Sequence, residues 1–574
     1  MSPYITRDPA RKEDRVLASG VLCVLLALFT LTFSGLPEGP RGEVEFQATR
    51  ALATTGTWAL ASSQEVARLQ GQTLPFPPGT RFLQASVGTG DRVLFPKCGP
   101  GQALVGVPFY WAGRCIAAVV PRLEQRHQET QDPDWAFSEY FAHWLLCWRG
   151  PLFTALTAFL LVLAARRLRV SRSHAWFAAF SYGLSTFAWS QSRTGLADVQ
   201  ATFLLFLSFH LLLRVRARLT RLEPPATWEF FVLGLALTLT WLTRLDTLPA
   251  VLVLCAATEV IVTRGLVGSD HRKSDPGPDL GPSRRTLMSA LLLPMAVGLG
   301  VLSWIGHTRT GSWAAPRPEG LAPLASWPSA LAGLLISPGH GLVWMAPLVL
   351  IVPFGLARAR RRGERLLERV VLAVFCGMLL TAVSSPAWHG GWTYGPRLLL
   401  PALPFLWLAV ALGLRHAQSR PMGRAGVMGL FVLGVVIQLP GVLVSTATHL
   451  DLALQAKPSL GSDSNNAGGE ELANDDLEPL HWAMDFAAPW ARWRIVRQRA
   501  AGLGESYDAQ VLFGVQGLAP LSLSRPAQEG FRHLAWVDLR QRLGGTPWAA
   551  FVALGALAIL GLYLSLKGMV EMRT

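Results

Sequence analysis

Glu43 and Glu45 stand two residues apart in "RGEVEFQATRALATTGTW", just past the first hydrophobic run of the chain. A positioned carboxylate can take a proton from an attacking hydroxyl. On a helix the two point roughly 160° apart, so a single site uses one of them. Glu43 shares a face with Gln47 and Arg50, while Val44, Ala48 and Ala51 form an apolar stripe beside it. The same pattern also fits an amphipathic surface helix whose acids are simply solvated. Further sets of polar residues interrupt apolar sequence. Arg193 and Asp198 lie in "SQSRTGLADVQ", and Arg244 and Asp246 in "TRLDTLP". His389, Tyr394 and Arg397 lie in "SPAWHGGWTYGPRLLLPALPF", with Gly390, Gly391 and Gly395 allowing tight backbone between them. Lys97 stands in "FPKCGPGQ". Arginine and lysine are the side chains that hold phosphate oxygens. The plainer alternatives are a local ion pair for Arg244 and Asp246 and a snorkelling side chain for Arg397.

The elements that must position these residues are set by composition. The chain has 574 residues, of which 51% are hydrophobic and 16% charged, with 21 tryptophans. An ordinary soluble domain carries about 25% charged residues. The apolar residues come in runs of about 18–25, the length that crosses a bilayer as a helix. The reading is an all-α polytopic membrane protein. Candidate spans fall at about 16–33, 149–166, 175–191, 196–213, 228–243, 247–263, 286–306, 333–357, 367–385, 397–414, 424–446 and 547–566, about twelve in all. The first run follows "RDPARKEDR" and no A-x-A-like cleavage site follows it, so it reads as an uncleaved span rather than a signal peptide.

The formal net charge of +15 does not point to nucleic acid, because the basic residues sit in short clusters between apolar runs. Alternation of the spans puts those clusters on one side with the basic N-terminus: Arg166 to Arg172, Arg214 to Arg218, Arg264 to Arg285, Arg358 to Arg362, Arg415 to Arg424, and Lys567. The positive-inside rule makes that side cytoplasmic and both termini with it. "GQALVGVPFYWAG", from Gly101 to Gly113, is too short to span and contains Pro108, so it is expected to be interfacial or re-entrant. Two large loops, 36–148 and 447–546, then lie outside. The chain divides into a transmembrane catalytic region at 1–446, a loop region at 447–546, and a last helix with its tail at 547–574. The second loop holds the polar "GSDSNNAGGEELANDD" and then a Trp-rich amphipathic segment, "HWAMDFAAPWARWRIVRQRA", suited to the membrane interface. Six cysteines are scattered with no CxxC, which argues against structural zinc; whether Cys98 and Cys115 pair is open.

Every polar set falls at the outer face. Carboxylates and cations gathered beside lipid suit transfer of a sugar from a lipid phosphate to an acceptor hydroxyl. A carboxylate acts as general base there, and arginine, lysine or a divalent metal steadies the phosphate leaving group. No GxxxxGK[ST] loop marks a nucleotide as the energy source. A secondary transporter is the alternative, but it usually shows paired halves with charges near the midplane. A lipid-linked ligase or phosphotransferase is a further alternative.

Several stretches resemble the GT-C superfamily of polytopic glycosyltransferases, in the bacterial branch grouped with protein mannosyltransferases and the aminoarabinose transferase of lipid A (glycosyltransferase family 39-like). "GEVEFQATRALATTGTW" is similar to its acidic first-loop segment, and "FPKCGPGQALVGVPFYWAG" to its "yGpGqsllalPlyllG" stretch. "SRTGLADVQATFLLFLSFHLLLR" is similar to its fourth-span entry, with Asp198 at the place of an acid. "SPGHGLVWMAPLVL" and "GGWTYGPRLLLPALPFL" are similar to two further signatures, and the likeness runs from about residue 16 to 446. The resemblance implies a GT-C fold, a polyprenyl-phosphate sugar donor, an outer-face site in a bacterial plasma membrane and a catalytic acid in the first loop. The acceptor would be a glycan, lipid or protein. Family members commonly carry Asp-Glu or a lone Asp where this chain has Glu-Val-Glu. Glu43 is placed ahead of Glu45 as the base, and metal dependence stays open.

Overall fold

The computed structural model describes residues 12–35, 40–58, 60, 85–87, 94–96, 99–119, 137–193, 197–221, 223–270, 282–310, 313, 321–391, 393–456, 481–501, 506–513, 521–522, 534, 536, 540 and 548–570. Among these the fold is all-α apart from two short antiparallel pairs. β1 (Ala85–Val87) pairs with β2 (Leu94–Pro96), with Ala85 opposite Pro96. β3 (Ser506–Tyr507) pairs with β4 (Leu521–Ser522). Nine helical segments among the described residues are long and apolar enough to cross a membrane. Apolar side chains such as Leu292, Leu293, Val297, Val552, Ile559 and Tyr563 stand on the outside of the bundle, where hydrocarbon is the fitting solvent. The protein is an all-α, multi-pass membrane protein.

The helices run in chain order. α1 (Lys12–Thr32), α2 (Pro40–Thr55), α3 (Pro100–Val119) and α4 (Phe137–Cys147) precede the span α5 (Arg149–Arg167). α6 (Arg172–Leu184) and α7 (Ala188–Ser192) lead into α8 (Ala197–Thr220), α9 (Thr227–Thr243), α10 (Leu248–Asp270) and α11 (Arg284–Thr310). α12 (Trp327–Ile336), α13 (Leu342–Met345) and α14 (Val352–Arg361) are short; α15 (Arg365–Val383), α16 (Leu403–Ala417) and α17 (Pro421–Leu443) are longer. α18 (Thr446–Ala456), α19 (Ala488–Ala500) and α20 (Ala509–Phe513) belong to the last loop, and α21 (Trp548–Val570) ends the described chain. α16 is the axis: every residue from Leu403 to Leu414 is buried, as a helix apolar on all sides must be.

Three of the twelve expected spans differ from that expectation. The run at 175–191 breaks at Ser185–Phe187 into α6 and α7. The run at 333–357 breaks at Ser337–Gly341 and again at Pro347, leaving α12, α13, a 3-10 turn (Pro347–Ile351) and α14. α9 has 17 residues and falls just short of a full crossing. The stretch 101–113, expected to be interfacial or re-entrant rather than spanning, lies in α3, a helix of 20 residues that continues through Pro108 and is not one of the nine segments apolar enough to cross a membrane. Within the last loop, the Trp-rich segment forms α19 along α17. Pro440 in α17 has no N–H, so the Val436 carbonyl four residues earlier lacks its helical donor. The Trp493 indole of α19 supplies one, at 3.0 Å.

Polar contacts sort to the two ends of the bundle. At one end Arg166 and Arg172 pair with Asp14 and Glu13 (2.8 and 2.6 Å), Arg218 with Glu229 (2.9 Å), Arg216 with Glu364 (2.6 Å) and Arg360 with Glu368 (2.9 Å). These are the basic clusters that alternation grouped together. The opposite end carries Arg193, Asp198, Arg244 and Arg397. α1 and α21 pack antiparallel, with Leu17 beside Gly568 and Val24 beside Gly561. Residues 12 and 570 therefore share the basic end.

That packing requires glycine. A Cβ on Gly561 would lie 2.7 Å from the Val24 nitrogen and 2.8 Å from the Gly20 carbonyl oxygen, inside any real contact distance. Small residues let spans approach this closely. Gly561→Val is expected to lower stability in detergent by about 1–3 kcal/mol, the usual cost of overpacking. Gly555→Val, with open space around it, is expected to be silent. Thermal unfolding of the two variants side by side checks this, and equal melting curves would contradict the close packing.

Candidate active site

α2 begins at Pro40, a favoured first helical residue, with Glu43 in the first turn, where the helix dipole favours an acid. Glu43 and Glu45 point to different faces, as their spacing requires. Glu45 is 2% exposed, and its carboxylate accepts from the Ala197 amide at 3.2 Å. Ala197 is the first residue of α8, so the acid of one helix caps the positive end of another. The Glu43 side chain is 24% exposed. It accepts from the Gln47 amide at 2.8 Å and faces the His143 ring nitrogen at 3.5 Å. Burial raises its pKa, against the smaller opposing pulls of the Gln47 hydrogen bond and the Arg50 charge.

Asp198, in the first turn of α8, is fully buried. One carboxylate oxygen takes a charge-assisted hydrogen bond from Arg244, and the other lies 3.8 Å from an Arg397 nitrogen. Arg244 sits on extended backbone between α9 and the 3-10 turn Leu245–Thr247. Its fork also grips both oxygens of Asp246, with Nε at 2.9 Å. Burial alone would lower the Arg244 pKa; the carboxylates of Asp198, Asp246 and Glu45 outweigh it and hold the cation above its ordinary value. The local ion pair expected of Arg244 and Asp246 is thus present, and it extends to Asp198.

A second polar layer adjoins this one. Arg149, at the start of α5, donates to the Leu146 carbonyl (2.8 Å), the Gln102 carbonyl (3.1 Å) and the Gln200 side-chain oxygen (3.1 Å). The Gln200 amide donates to the Gly101 carbonyl (3.0 Å) and the Thr243 hydroxyl (2.9 Å). Together these tie α3, α5, α8 and α9 at one level. Sequence reading passed over Arg149 and Gln200. A lone arginine opening an apolar run, and a glutamine inside one, were the available signals.

Arg397 reaches Asp198 because of the turn before it. Gly390, Gly391 and Gly395 have φ of +73°, +76° and +84°, a region costly for other residues. A Cβ on Gly390 would also lie 2.9 Å from Arg397 Nε. The Arg397 side chain is 12% exposed, and its amide donates to the Gly395 carbonyl at 2.8 Å. From Arg397 to Ala402 the backbone is a 3-10 turn before α16.

The remaining expected residues are placed differently. Tyr394 turns its hydroxyl onto the Ile437 carbonyl of α17, and its own carbonyl accepts from Gln191 at 2.9 Å. Its ring is buried under the Arg492 guanidinium. It therefore has a scaffolding position rather than the substrate contact expected of it. Arg193 donates to the Val444 carbonyl at 3.5 Å, and its own carbonyl accepts from the Ser34 hydroxyl at 2.8 Å; it ties α1 to the end of α17. His389 accepts from the Gly391 amide through Nδ1 at 3.0 Å. Burial, with a smaller push from the Arg397 charge, brings its pKa down to about 4, so the imidazole is neutral at pH 7. Its ring lies 5.5 Å from that of His481. Lys97 and Cys98 lie outside the described residues. Among the described residues no group of three or more His, Cys, Asp or Glu is arranged to hold a metal ion.

Comparison with known proteins gives little. No family model matches the chain, and no curated protein matches it. The chain is similar to the crystal structure of the Archaeoglobus fulgidus oligosaccharyltransferase in the apo form, at 11% identity and a TM-score of 0.39. That likeness covers 92% of this chain and 64% of the other.

The environment of Glu43 sets a pH dependence. Its folded-state pKa is raised above 4.5, so the folded state holds the proton more tightly than the unfolded chain does. Stability is greatest below pH 4.5 with respect to this group and falls as pH rises through its folded pKa. In Glu43→Gln that component is expected to vanish, leaving a shallower loss of thermal stability between pH 4 and pH 7 than in the wild type. Identical slopes in detergent melts would show that the carboxyl is not held in a desolvating site.

Proposed function

We propose that the protein is a membrane glycosyltransferase that moves a sugar from a polyprenyl-phosphate donor to an acceptor hydroxyl at the outer face of a bacterial plasma membrane. The observation that carries this reading is a division of labour among the charges at one end of the bundle. Glu45 is fixed by a helix N-terminus, and Asp198 and Asp246 are fixed by arginine. Glu43 is half-buried, raised in pKa, bound by a neutral amide and faced by an imidazole at 3.5 Å. Two acids held in such different surroundings take different roles. Glu43 acts as the general base and Glu45 as an electrostatic anchor.

In the reaction the acceptor oxygen attacks the anomeric carbon and its proton passes to Glu43. The bond from that carbon to the donor phosphate oxygen breaks, and the electron pair leaves with the polyprenyl phosphate. Arg244 is saturated by two carboxylates, so Arg397, held to Asp198 at 3.8 Å, is the cation that meets the growing phosphate charge. A divalent metal is not required by this scheme and not excluded by it. The lipid tail remains in the bilayer beside the apolar helix faces. The orientation follows the basic end, which the positive-inside rule assigns to the cytoplasm.

The test is release of polyprenyl phosphate from a panel of polyprenyl-phosphate sugars by the purified chain; consumption of none would sink the proposal. Glu43→Gln is expected to lower kcat by about 10²–10⁴, a barrier rise of roughly 3–5 kcal/mol, with folding intact. Glu45→Gln is expected to cost stability first, because it weakens a buried charged cap. Arg397→Lys keeps the charge but loses the planar fork, and is expected to lose much of the turnover. Near-wild-type turnover would remove Arg397 from the site, since lysine snorkels equally well.

A further inference from the structure

We infer that Arg492, in the last loop, is a positioning residue that holds the Tyr394–Arg397 turn in the geometry needed to bind a lipid phosphate. The inference rests on the glycosyl-transfer reading and deepens it by giving the last loop a task.

Arg492 is 1% exposed, whereas the other arginines of its helix are half-buried (Arg494, Arg499) or exposed (Arg497). Its guanidinium donates to the Val444 carbonyl at 2.9 Å and to the Thr446 hydroxyl at 3.1 Å, fixing it to the chain that leaves α17. The carbon of the same group lies 4.7 Å from the centre of the Tyr394 ring. A cation over an aromatic face in a desolvated place is an attraction worth keeping. Tyr394 is then held on three sides: its ring by Arg492, its hydroxyl by Ile437, and its carbonyl by Gln191. Gly441 makes this possible, because a Cβ there would lie 2.5 Å from the tyrosine ring.

One residue later the chain turns through Gly395 at φ +84°, and the Arg397 amide closes onto the Gly395 carbonyl. A left-handed glycine turn has several conformations open to it. Fixing the residue on its N-terminal side selects one, and with it the approach of Arg397 to Asp198. A second tie from the last loop reaches the same region: the Gly339 amide donates to the His481 carbonyl at 3.1 Å, and the His481 ring packs against His389. Lysine or methionine at 492 fills similar space, but neither can serve both acceptors and the ring at once.

The experiment measures binding of polyprenyl phosphate to the purified full-length chain by tryptophan fluorescence, beside thermal melts of each variant. Arg492→Met is expected to weaken binding about tenfold, as Arg397→Lys does, and to add nothing further in the Arg397→Lys background, because both act through one group. Arg499→Met, which loses a 2.8 Å bond to Tyr507 within the last loop, is expected to bind as the wild type does. Wild-type affinity in Arg492→Met, or a second tenfold loss in the double variant, overturns the positioning role. If Arg492→Met does not fold, Tyr394→Phe releases the hold on Ile437 while keeping the ring, and the same non-additivity with Arg397→Lys is required of it. A wild-type chain that binds no polyprenyl phosphate defeats the glycosyl-transfer reading together with this inference. Wild-type binding with an indifferent Arg492 defeats the inference alone.

Discussion

A guanidinium buried among apolar helices must be paired, and Arg244 is the case on which this end of the bundle depends. Removing such a charge from water costs several kcal/mol, recovered only by close, well-directed partners. Asp198 and Asp246 supply them from α8 and from the turn after α9. Those two carboxylates thereby dictate where α8, α9 and α10 end relative to one another. The extended backbone at Arg244, the 3-10 turn after it and the buried Thr247 hydroxyl on the Arg244 carbonyl, at 2.6 Å, follow from bringing the fork to both acids.

From that clasp the charges can be read outward. Glu45 adds a third negative group without touching Arg244 directly, and Arg397 adds a second cation on the far side of Asp198. Three carboxylates and two guanidinium groups thus lie together, so most of the charge is met by its opposite in a place of low dielectric. The helices around it are broken: the 3-10 turn at 397–402, the gap between α6 and α7, and the gap between α12 and α13. Irregular backbone inside a bundle is tolerated where protein rather than lipid surrounds it. Here it lets polar groups from distant segments meet at one level, while the regular spans keep the remainder of the chain apolar.

Most of the spans were legible because each is an uninterrupted apolar run. The breaks at Ser185–Phe187 and Ser337–Gly341 were not, since apolar residues on both sides carry the average hydropathy across them. That a helix runs through Pro108 was not legible, because neighbouring helices hold the chain through a residue that would break an isolated helix. Asp198, Arg244, Asp246 and Arg397 were legible as costly polar residues at span ends, and the structure brings them together. Tyr394 and Arg193 drew notice for the same reason, but the Tyr394 hydroxyl and one Arg193 nitrogen donate to backbone carbonyls of distant segments, which no local pattern reveals. Arg492 was invisible for the opposite reason. Among Arg492, Arg494, Arg497 and Arg499 nothing in the sequence marks the one that is buried.

Pro440 has a consequence for assembly. Val436 lies seven residues inside the end of α17, about 10 Å along the helix axis, and an acceptor left open at such a depth in hydrocarbon costs several kcal/mol. The Trp493 indole that closes it belongs to chain made later, after a long polar stretch. Without α19 that carbonyl would have no donor, so the proline inside a span fixes the point at which the last loop has to meet it.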